Sequence, residues 1–170
     1  MPAPILIEEY DPDWPLQFER IKDRLLHALR RVPLAIEHVG STSVPGLAAK
    51  PVLDIDIAVR HSADTERVIE QLATLGYAHR GDLGIAGREA FKAPHGTYAH
   101  HLYVVAQNSK VFLDHIHFRD RLRSDPAIAG EYGELKIELA RKHRTDRAAY
   151  TSAKTEFIRR ILAQAPGTEH

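Results

Sequence analysis

The sequence contains no cysteine, which excludes disulfide bonds, thiol catalysis and zinc–thiolate sites. It also has no excess of charge of either sign, because 23 Lys and Arg side chains are balanced by 23 Asp and Glu. A neutral chain has no general attraction for a nucleic-acid backbone or an anionic membrane, and no sequence-specific nucleic-acid binding is expected. Any recognition of phosphate must therefore be local.

Long apolar runs are also absent. No segment approaches the roughly 20 apolar residues that span a bilayer, and the amino terminus lacks the basic start and apolar stretch of a secretion signal. We therefore expect a soluble, cytoplasmic protein without membrane association. The 170 residues fit a single domain at 1–165, followed by a disordered tail at 166–170. The sequence leaves the oligomeric state open.

Hydrophobic periodicity predicts alternating strands and helices. Asp13-Trp14-Pro15 predicts the start of a helix, and apolar residues then recur at helical spacing from Phe18 to Leu29. Trp14 and Phe18 are interpreted as core anchors. The fold class is therefore α/β, in its α+β form, with a mixed sheet packed with helices and a helical C-terminal segment. We predict strands at 5–7, 35–39, 53–59, 88–92 and 101–105, and helices at 13–31, 63–75, 109–123, 126–143 and 147–164.

Two aspartates alternate with apolar residues along one predicted strand. Successive side chains of a strand point to opposite faces, so Asp54 and Asp56 share one face while Leu53, Ile55 and Ile57 share the other. Neighbouring carboxylates repel each other, and a divalent cation such as Mg²⁺ or Mn²⁺ would remove that repulsion. The pattern predicts a metal site, with a solvated sheet face as the alternative.

A polar turn precedes the acidic strand by a short loop. It contains Gly40, Ser41, Thr42 and Ser43. Glycine lets the backbone turn closely around a ligand, and the following amides and hydroxyls can donate hydrogen bonds to phosphate oxygens. Lys50 adds a counter-charge for phosphate. The order of turn, acidic strand and helix predicts phosphoryl or nucleotidyl transfer, in which a protein mainly positions reactants and neutralises charge.

The run from Glu37 to Asp56 resembles the signature of the GrpB family, also called UPF0157. The resemblance continues through 101–104 and 118–123 to Tyr150 and Lys154, so it covers nearly the whole chain. It implies a nucleotidyltransferase-like fold, in which a mixed β-sheet is packed with helices. Some members of the family are joined to dephospho-CoA kinase, and the family's substrate and reaction are unassigned.

The resemblance also implies roles for particular residues. The Gly-Ser turn would bind phosphate, and Asp54 and Asp56 would be catalytic metal ligands. The superfamily pattern implies a third carboxylate on a later strand, where this sequence has His101 and Tyr103. The family commonly has His-Leu-His there, so His101 fits and Tyr103 departs; His101 is a candidate third ligand or general base. Two acids could take the third place in space, and the spacing selects neither: Glu89 and Asp114.

Further basic residues lie on the predicted C-terminal helices. His115, Arg119 and Arg123 follow at four-residue intervals and share one helix face. That row could bind ligand phosphates or form a solvated basic face with intrahelical pairing to Asp120, and the family motif favours Arg119 as a phosphate ligand. Lys136 and Lys154 belong to the family pattern, although surface lysines are the usual interpretation of such positions.

Two functions remain open on the sequence. The first is a metal-dependent nucleotidyltransferase that acts on an NTP and an unidentified acceptor. The second is a non-catalytic domain that binds a nucleotide or phosphorylated metabolite, with a link to coenzyme A metabolism suggested by fusions within the family. The order of the motifs favours the first function, and the missing third carboxylate favours the second.

Overall fold

The computed structural model describes residues 2–30, 32 and 35–164, and the tail predicted at 166–170 lies outside these residues. Five helices and five strands are described, with a 3₁₀ turn at Ser41–Ser43. In chain order they are α1 (Asp13–Leu29), β1 (Ala35–Val39), β2 (Leu53–Val59), α2 (Ala63–Thr74), β3 (Ala78–Gly81), β4 (Arg88–Lys92), β5 (His100–Ala106), α3 (Lys110–Ser124), α4 (Pro126–Lys142) and α5 (Arg147–Ala163).

The five strands form one mixed sheet in the order β1-β2-β5-β4-β3. Strands β2 and β5 are parallel, and the other neighbouring pairs are antiparallel. The register places Asp54 beside His101 and Asp56 beside Tyr103. This arrangement confirms the predicted α/β class with a mixed sheet, and it brings the acidic strand next to the strand that carries the third predicted position.

One face of the sheet packs on α1 and α2. Trp14 and Leu25 of α1 and Leu72 of α2 are buried in the same cluster as Ile55 and Ile57 of β2. Burying such side chains removes apolar area from water and supplies the main drive for folding. The alternation predicted for β2 therefore holds, since its apolar side faces this core and its acidic side faces away from it.

The C-terminal helices form a second apolar cluster around the loop that follows the 3₁₀ turn. Val44 and Leu47 of that loop pack with Leu122 of α3, Tyr132 of α4 and Phe157 of α5. Helix α3 also contacts β1 and β5 on the sheet face that carries the aspartates. These contacts fix α4 and α5 beside the turn, so their polar side chains can reach the acidic strand.

Side-chain caps explain why the last three helices begin where the sequence predicts. Ser109 accepts a hydrogen bond from the amide of Phe112, Asp125 accepts from Ala127 and Ile128, and Asp146 accepts from Ala149. Such caps satisfy amides that lack partners within the helix. Pro126 then occupies the first turn of α4, where its missing amide hydrogen costs nothing.

One predicted strand is wrong, and one observed strand was not predicted. No strand forms at 5–7; the chain there makes one isolated bridge, between Glu8 and Ala49, and Ile5 packs with Leu139 and Tyr150. Strand β3 was not predicted, because three of its four residues are exposed and show no apolar alternation. Among the helices at 2–30 and 35–164, none is both long and apolar enough to cross a membrane.

Candidate functional site

The turn lies directly against the first aspartate. Gly40 has a φ of 72°, and a Cβ atom added to it would lie 2.3 Å from Oδ2 of Asp54. The hydroxyl of Ser43 donates to the carbonyl oxygen of Gly40 at 2.5 Å, and Nε2 of His38 lies 2.8 Å from Oγ1 of Thr42. Glycine is therefore required here both by the left-handed backbone and by the close approach of the carboxylate.

A cavity of about 270 Å³ opens between this turn, the ends of β2 and β5, and helices α4 and α5. It brings together eight of the residues predicted from the sequence, from five separate parts of the chain. A larger cavity of about 610 Å³ lies between α3 and α5 and contains none of them. The smaller cavity is lined by Ser41, Thr42, Ala49, Lys50, Val52, Asp54, His101, Tyr103, Lys136, Tyr150, Thr151 and Lys154.

Three lysines make this cavity rich in positive charge. Lys136 of α4 is 2% exposed and its Nζ donates to the carbonyl oxygen of Ala48. Burial, followed by repulsion from neighbouring lysines, lowers the pKa of Lys136 to about 7 and that of Lys154 to about 8. Burial also lowers the pKa of Lys50.

No ion pair involving Lys50, Lys136 or Lys154 occurs within the described part of the chain. Asp54 is the acidic side chain that lines the same cavity. A buried amine is costly as an ammonium ion, and the single charge of Asp54 cannot balance three of them, so an anionic ligand would relieve that cost. The cavity is therefore suited to a ligand that carries several negative charges.

Asp54 is the accessible member of the acidic pair. Burial raises its pKa, and the charge of Asp56 acts in the same direction. The nearby imidazoles of His101 and His115 oppose this shift by favouring the carboxylate form. Because Asp54 lines the cavity and touches the turn, a cation placed between its carboxylate and a ligand phosphate would stabilise both.

Asp56 is fully buried and has a partner of its own. Its Oδ2 lies 2.6 Å from Nδ1 of His115 on α3, and its Oδ1 has no hydrogen-bond partner among the described residues. Burial disfavours the charged imidazole, but the hydrogen bond and the charge of Asp56 outweigh it and raise the pKa of His115. The repulsion that suggested a metal is therefore partly relieved by a histidine that the sequence did not place there.

The third position holds a histidine and a tyrosine, as the sequence predicts. His101 is exposed at the cavity, and the guanidinium of Arg88 lies 4.7 Å from the centre of the Tyr103 ring. Burial and then the charge of Asp54 raise the pKa of Tyr103 to about 12, so this hydroxyl remains protonated at neutral pH. The ring therefore supplies a neutral polar group where the superfamily pattern implies a carboxylate.

Neither alternative acid replaces the missing carboxylate. Glu89 is paired in register with Val104 and binds His79 at 2.7 Å, so it lies on the other face of the sheet. Asp114 binds Lys110 at 2.6 Å along α3. Within 2–30, 32 and 35–164, no three His, Asp or Glu side chains are grouped closely enough to hold a metal ion by themselves.

The row on α3 contacts protein groups and does not line the cavity. Besides His115, Arg119 donates to Glu37 at 2.7 Å and to the carbonyl oxygen of His38 at 3.1 Å. Arg123 donates to the carbonyl oxygen of Ser43 at 2.9 Å. Arg119 also donates to Asp120 at 2.9 Å, so the expected pairing with Asp120 is present. The row is nevertheless not directed at the cavity, and Arg119 is largely buried, so its face is not simply solvated.

The structure also adds residues that the sequence did not single out as site residues. Tyr150 and Thr151 line the cavity from α5, and Arg88 covers Tyr103 from β4. The four-residue spacing of Tyr150 and Lys154 was an available signal, because it places both side chains on one face of a helix. The pairing of Arg88 with Tyr103 depends on strand register, which has no comparable local signal.

Comparison with known proteins gives a consistent picture. The family model described as GrpB protein matches residues 4–164. A UPF0157 protein of Pseudomonas aeruginosa is 40% identical over 162 residues, which are 91% of this chain and 65% of that protein. UPF0157 protein YqkA of Bacillus subtilis is 37% identical over 150 residues, 88% of this chain and 44% of that protein. The chain therefore spans less than two thirds of the length of either relative.

A third relative is a dephospho-CoA kinase of Mycolicibacterium paratuberculosis. It is 42% identical over 78 residues, which are 44% of this chain and 19% of that protein. Among solved structures, the conserved protein GrpB from Enterococcus faecalis is 35% identical, with a TM-score of 0.84 and coverage of 94% of this chain and 96% of that one.

More distant structures define the fold class. The GLD-2/RNP-8 complex has a TM-score of 0.61 at 14% identity, and it covers 88% of this chain and 60% of that one. Cid1 poly(U) polymerase with MgGTP bound has a TM-score of 0.56 at 17% identity, and the match covers 79% of this chain and 43% of that one. The fold is therefore nucleotidyltransferase-like, as the sequence predicts.

Proposed function

The chain belongs to the GrpB family, and from the geometry of its cavity we propose that it is a metal-dependent nucleotidyltransferase. The observation that carries this proposal is the meeting of Ser41, Asp54 and three lysines around one cavity. A phosphate-binding turn, a carboxylate and several cations are the groups that transfer of a nucleotidyl unit requires. The substrates would be an NTP and an acceptor whose identity is open.

The phosphates would lie between the turn and the two C-terminal helices. Ser41 and Thr42 line the cavity from the turn, while Lys136 and Lys154 line it from α4 and α5. Hydroxyls donate to phosphate oxygens, and ammonium groups neutralise their charge. Binding would therefore bring phosphates to amino groups that form no ion pair among the described residues.

The acidic pair fits a magnesium or manganese ion that is shared with the nucleotide. Asp54 offers an accessible carboxylate, and Asp56 has a buried oxygen without a hydrogen-bond partner among the described residues. Mg²⁺ is commonly held by one or two carboxylates together with substrate phosphates, so a third protein ligand is not required. When bound, the cation would neutralise negative charge on the phosphates. Cid1, which shares the fold, is described with MgGTP bound.

His101 is the candidate general base. Its imidazole is exposed at the cavity, beside Asp54 in the sheet register. In the proposed reaction an acceptor oxygen bonds to the α-phosphorus, the bond from that phosphorus to the bridging oxygen breaks, and pyrophosphate leaves. The acceptor proton would pass to His101, because a ring nitrogen of a neutral imidazole can accept a proton. The alternative role of His101 is a third metal ligand.

A non-catalytic binding domain is the rival proposal. It is favoured by the third position, where Tyr103 replaces the acid and neither Glu89 nor Asp114 compensates. Such a domain would hold a nucleotide or a phosphorylated metabolite without turnover. The link to coenzyme A metabolism stays a prediction, supported by the partial match to a dephospho-CoA kinase.

One experiment separates transfer from binding alone. The protein is incubated with Mg²⁺ or Mn²⁺, α-labelled NTPs and an extract of small metabolites, and labelled products are separated from the nucleotide. We expect product with the wild type and about a hundredfold less with Asp54→Asn, because the carboxylate that places the cation is lost. Asp114→Asn is the matched control and should leave product formation unchanged. Nucleotide binding without product across the whole panel would contradict the transferase proposal and favour the non-catalytic binding domain.

A further inference from the structure

The cavity has the composition of a site that binds phosphates and does not discriminate between bases. Building on the proposed function, we propose that it binds the triphosphate of a nucleotide and leaves the base unread, so that ATP, GTP, CTP and UTP bind alike. Inorganic tripolyphosphate would then carry most of the recognised groups. Size, lining groups and aromatic faces each support this inference.

Size limits what the cavity can enclose. Its volume of about 270 Å³ falls below the roughly 300–1,000 Å³ of pockets that bury most of a drug-sized ligand. A nucleoside triphosphate would therefore be only partly enclosed. The amino groups of Lys50, Lys136 and Lys154 favour its polyphosphate as the enclosed end, which leaves the base at the mouth of the cavity, beside the exposed lining residues His101 and Thr151.

The lining groups left for a base cannot distinguish one base edge from another. Bases are told apart by side chains with a fixed pattern of donors and acceptors, such as Asn, Gln and Arg, and also by Lys and by Asp or Glu. Within the described ranges, no Asn, Gln or Arg lines the cavity, and its lysines and Asp54 are taken up by the proposed phosphates and cation. The hydroxyl of Thr151, which is exposed at the cavity, rotates to donate or to accept and so fits either kind of edge.

The aromatic rings that line the cavity offer no selective platform either. Tyr150 is 1% exposed, and the amino groups of Lys50 and Lys154 lie 5.1 and 4.4 Å from the centre of its ring. Arg88 covers the ring of Tyr103. The exposed imidazole of His101 remains available for stacking, and stacking tolerates every base because each base has a π-face.

Competition binding with the full-length protein tests the inference. Labelled ATP with Mg²⁺ is displaced by unlabelled ATP, GTP, CTP, UTP and tripolyphosphate. We expect the four nucleotides to bind within about threefold of one another, and tripolyphosphate within about tenfold of ATP. A preference of more than about tenfold for one base, or failure of tripolyphosphate to displace ATP, would overturn the inference.

A lysine variant shows whether the tripolyphosphate occupies this cavity. Lys154→Met keeps an unbranched side chain but removes the charge, and it should weaken binding of all five competitors by roughly tenfold to a hundredfold. Lys142→Met, an exposed lysine of α4 outside the cavity, is the control and should bind as the wild type does. If thermal melting shows that Lys154→Met is unfolded, Lys50→Met takes its place. Unchanged binding by the folded variant, or weakening for one base alone, contradicts the inference.

The results separate this inference from the proposed reaction. Equal binding of the four nucleotides without transfer of label supports the base-indifferent cavity and contradicts the transferase. Transfer confined to nucleotides with one base, with matching selectivity in binding, supports the transferase and contradicts the inference.

Discussion

The basic side chains on two sides of the site differ in the partners that they contact. On the α3 side, formed by His115, Arg119 and Arg123, each side chain donates to a protein acceptor. On the lysine side, formed by Lys50, Lys136 and Lys154, the amino groups line a cavity and form no ion pair among the described residues. Both sides are basic, yet carboxylate partners among the described residues occur only on the α3 side, for His115 and Arg119.

This difference separates structural charges from those available to a ligand. A buried ion pair is strongly destabilising when one partner is removed, so the α3 side is part of what holds the sheet and the turn together. The lysine side has the opposite property, since burial lowers the pKa of Lys136 to about 7 and of Lys154 to about 8. Groups that the fold makes costly and places in a cavity are candidates for function.

The largest effect is expected at Gly40, which lies between His38 and Ser43, whose carbonyl oxygens accept from the α3 side, and next to Asp54, which lines the cavity with the lysines. In Gly40→Ala, the new methyl group would lie 2.3 Å from Oδ2 of Asp54, on a backbone with a φ of 72°. We expect the free energy of unfolding to fall by roughly 2–5 kcal/mol, from backbone strain and overpacking together. Urea denaturation measures this change, and tripolyphosphate binding should weaken in the same variant because the turn or Asp54 must move.

Gly46→Ala is the matched control for this substitution. Gly46 also has a positive φ, of 82°, but no atom lies within 4 Å of its added Cβ. Only the backbone strain remains, so the loss should be about 1 kcal/mol and binding should be retained. Equal losses of stability in the two variants would show that contact between the turn and Asp54 does not matter.

The next largest expected effect is a dependence of anion binding on pH, which follows from the lysine side. The folded-state pKa values of Lys136 and Lys154 lie below their usual 10.5, so the free protein loses these protons between about pH 7 and pH 9. A bound anion favours the ammonium forms, and its affinity should fall by up to about tenfold per pH unit for each lysine that must regain a proton. Lys50 adds repulsion and Asp54 attraction in the same cavity.

Calorimetric titration with tripolyphosphate at pH 7, 8 and 9 measures this dependence. Lys136→Met should show a shallower slope than the wild type, because one of the titrating amines is gone. The ligand's own titration is common to both proteins and cancels in the comparison. Parallel slopes would mean that Lys136 takes up no proton when the anion binds.

Much of the fold could be predicted because its signals are local. The alternation of β2, the apolar stripe of α1 and the caps at Asp125 and Asp146 each lie within a few residues of sequence. Strand β3 could not be predicted, since an exposed strand is defined by pairing with β4 and not by its own composition. The apolar residues at 5–7 led to a wrong strand prediction for a related reason. Ile5 is buried because it packs on helices that are distant in the sequence.

The candidate site was predictable in part. The turn and Asp54 are close in sequence and are found in contact. Helical spacing placed His115 and Arg119 on one face of α3, but spacing does not reveal what lies opposite that face, and both contact the sheet. Lys136 joins the cavity from a helix more distant in the chain. Such meetings depend on tertiary packing, for which a single sequence carries little local signal.

The smallest expected effect on ligand binding belongs to a substitution on the α3 side. Arg119→Met removes a largely buried guanidinium that binds Glu37, Asp120 and a backbone carbonyl, and the free energy of unfolding should fall by about 1–3 kcal/mol. Arg159→Met is the control, since that exposed arginine lies 4.0 Å from Glu156 and its loss should cost less than about 0.5 kcal/mol.

Tripolyphosphate binding by folded Arg119→Met completes this test. Because Arg119 does not line the cavity, the Arg119→Met variant should bind the anion with the same affinity as the wild type at the same pH. Lys154→Met should show the reverse, with weakened binding and little loss of stability, because no ion pair of Lys154 is broken among the described residues. If both variants lose binding to the same extent, the α3 side contributes to the ligand site and the distinction between the two sides does not hold.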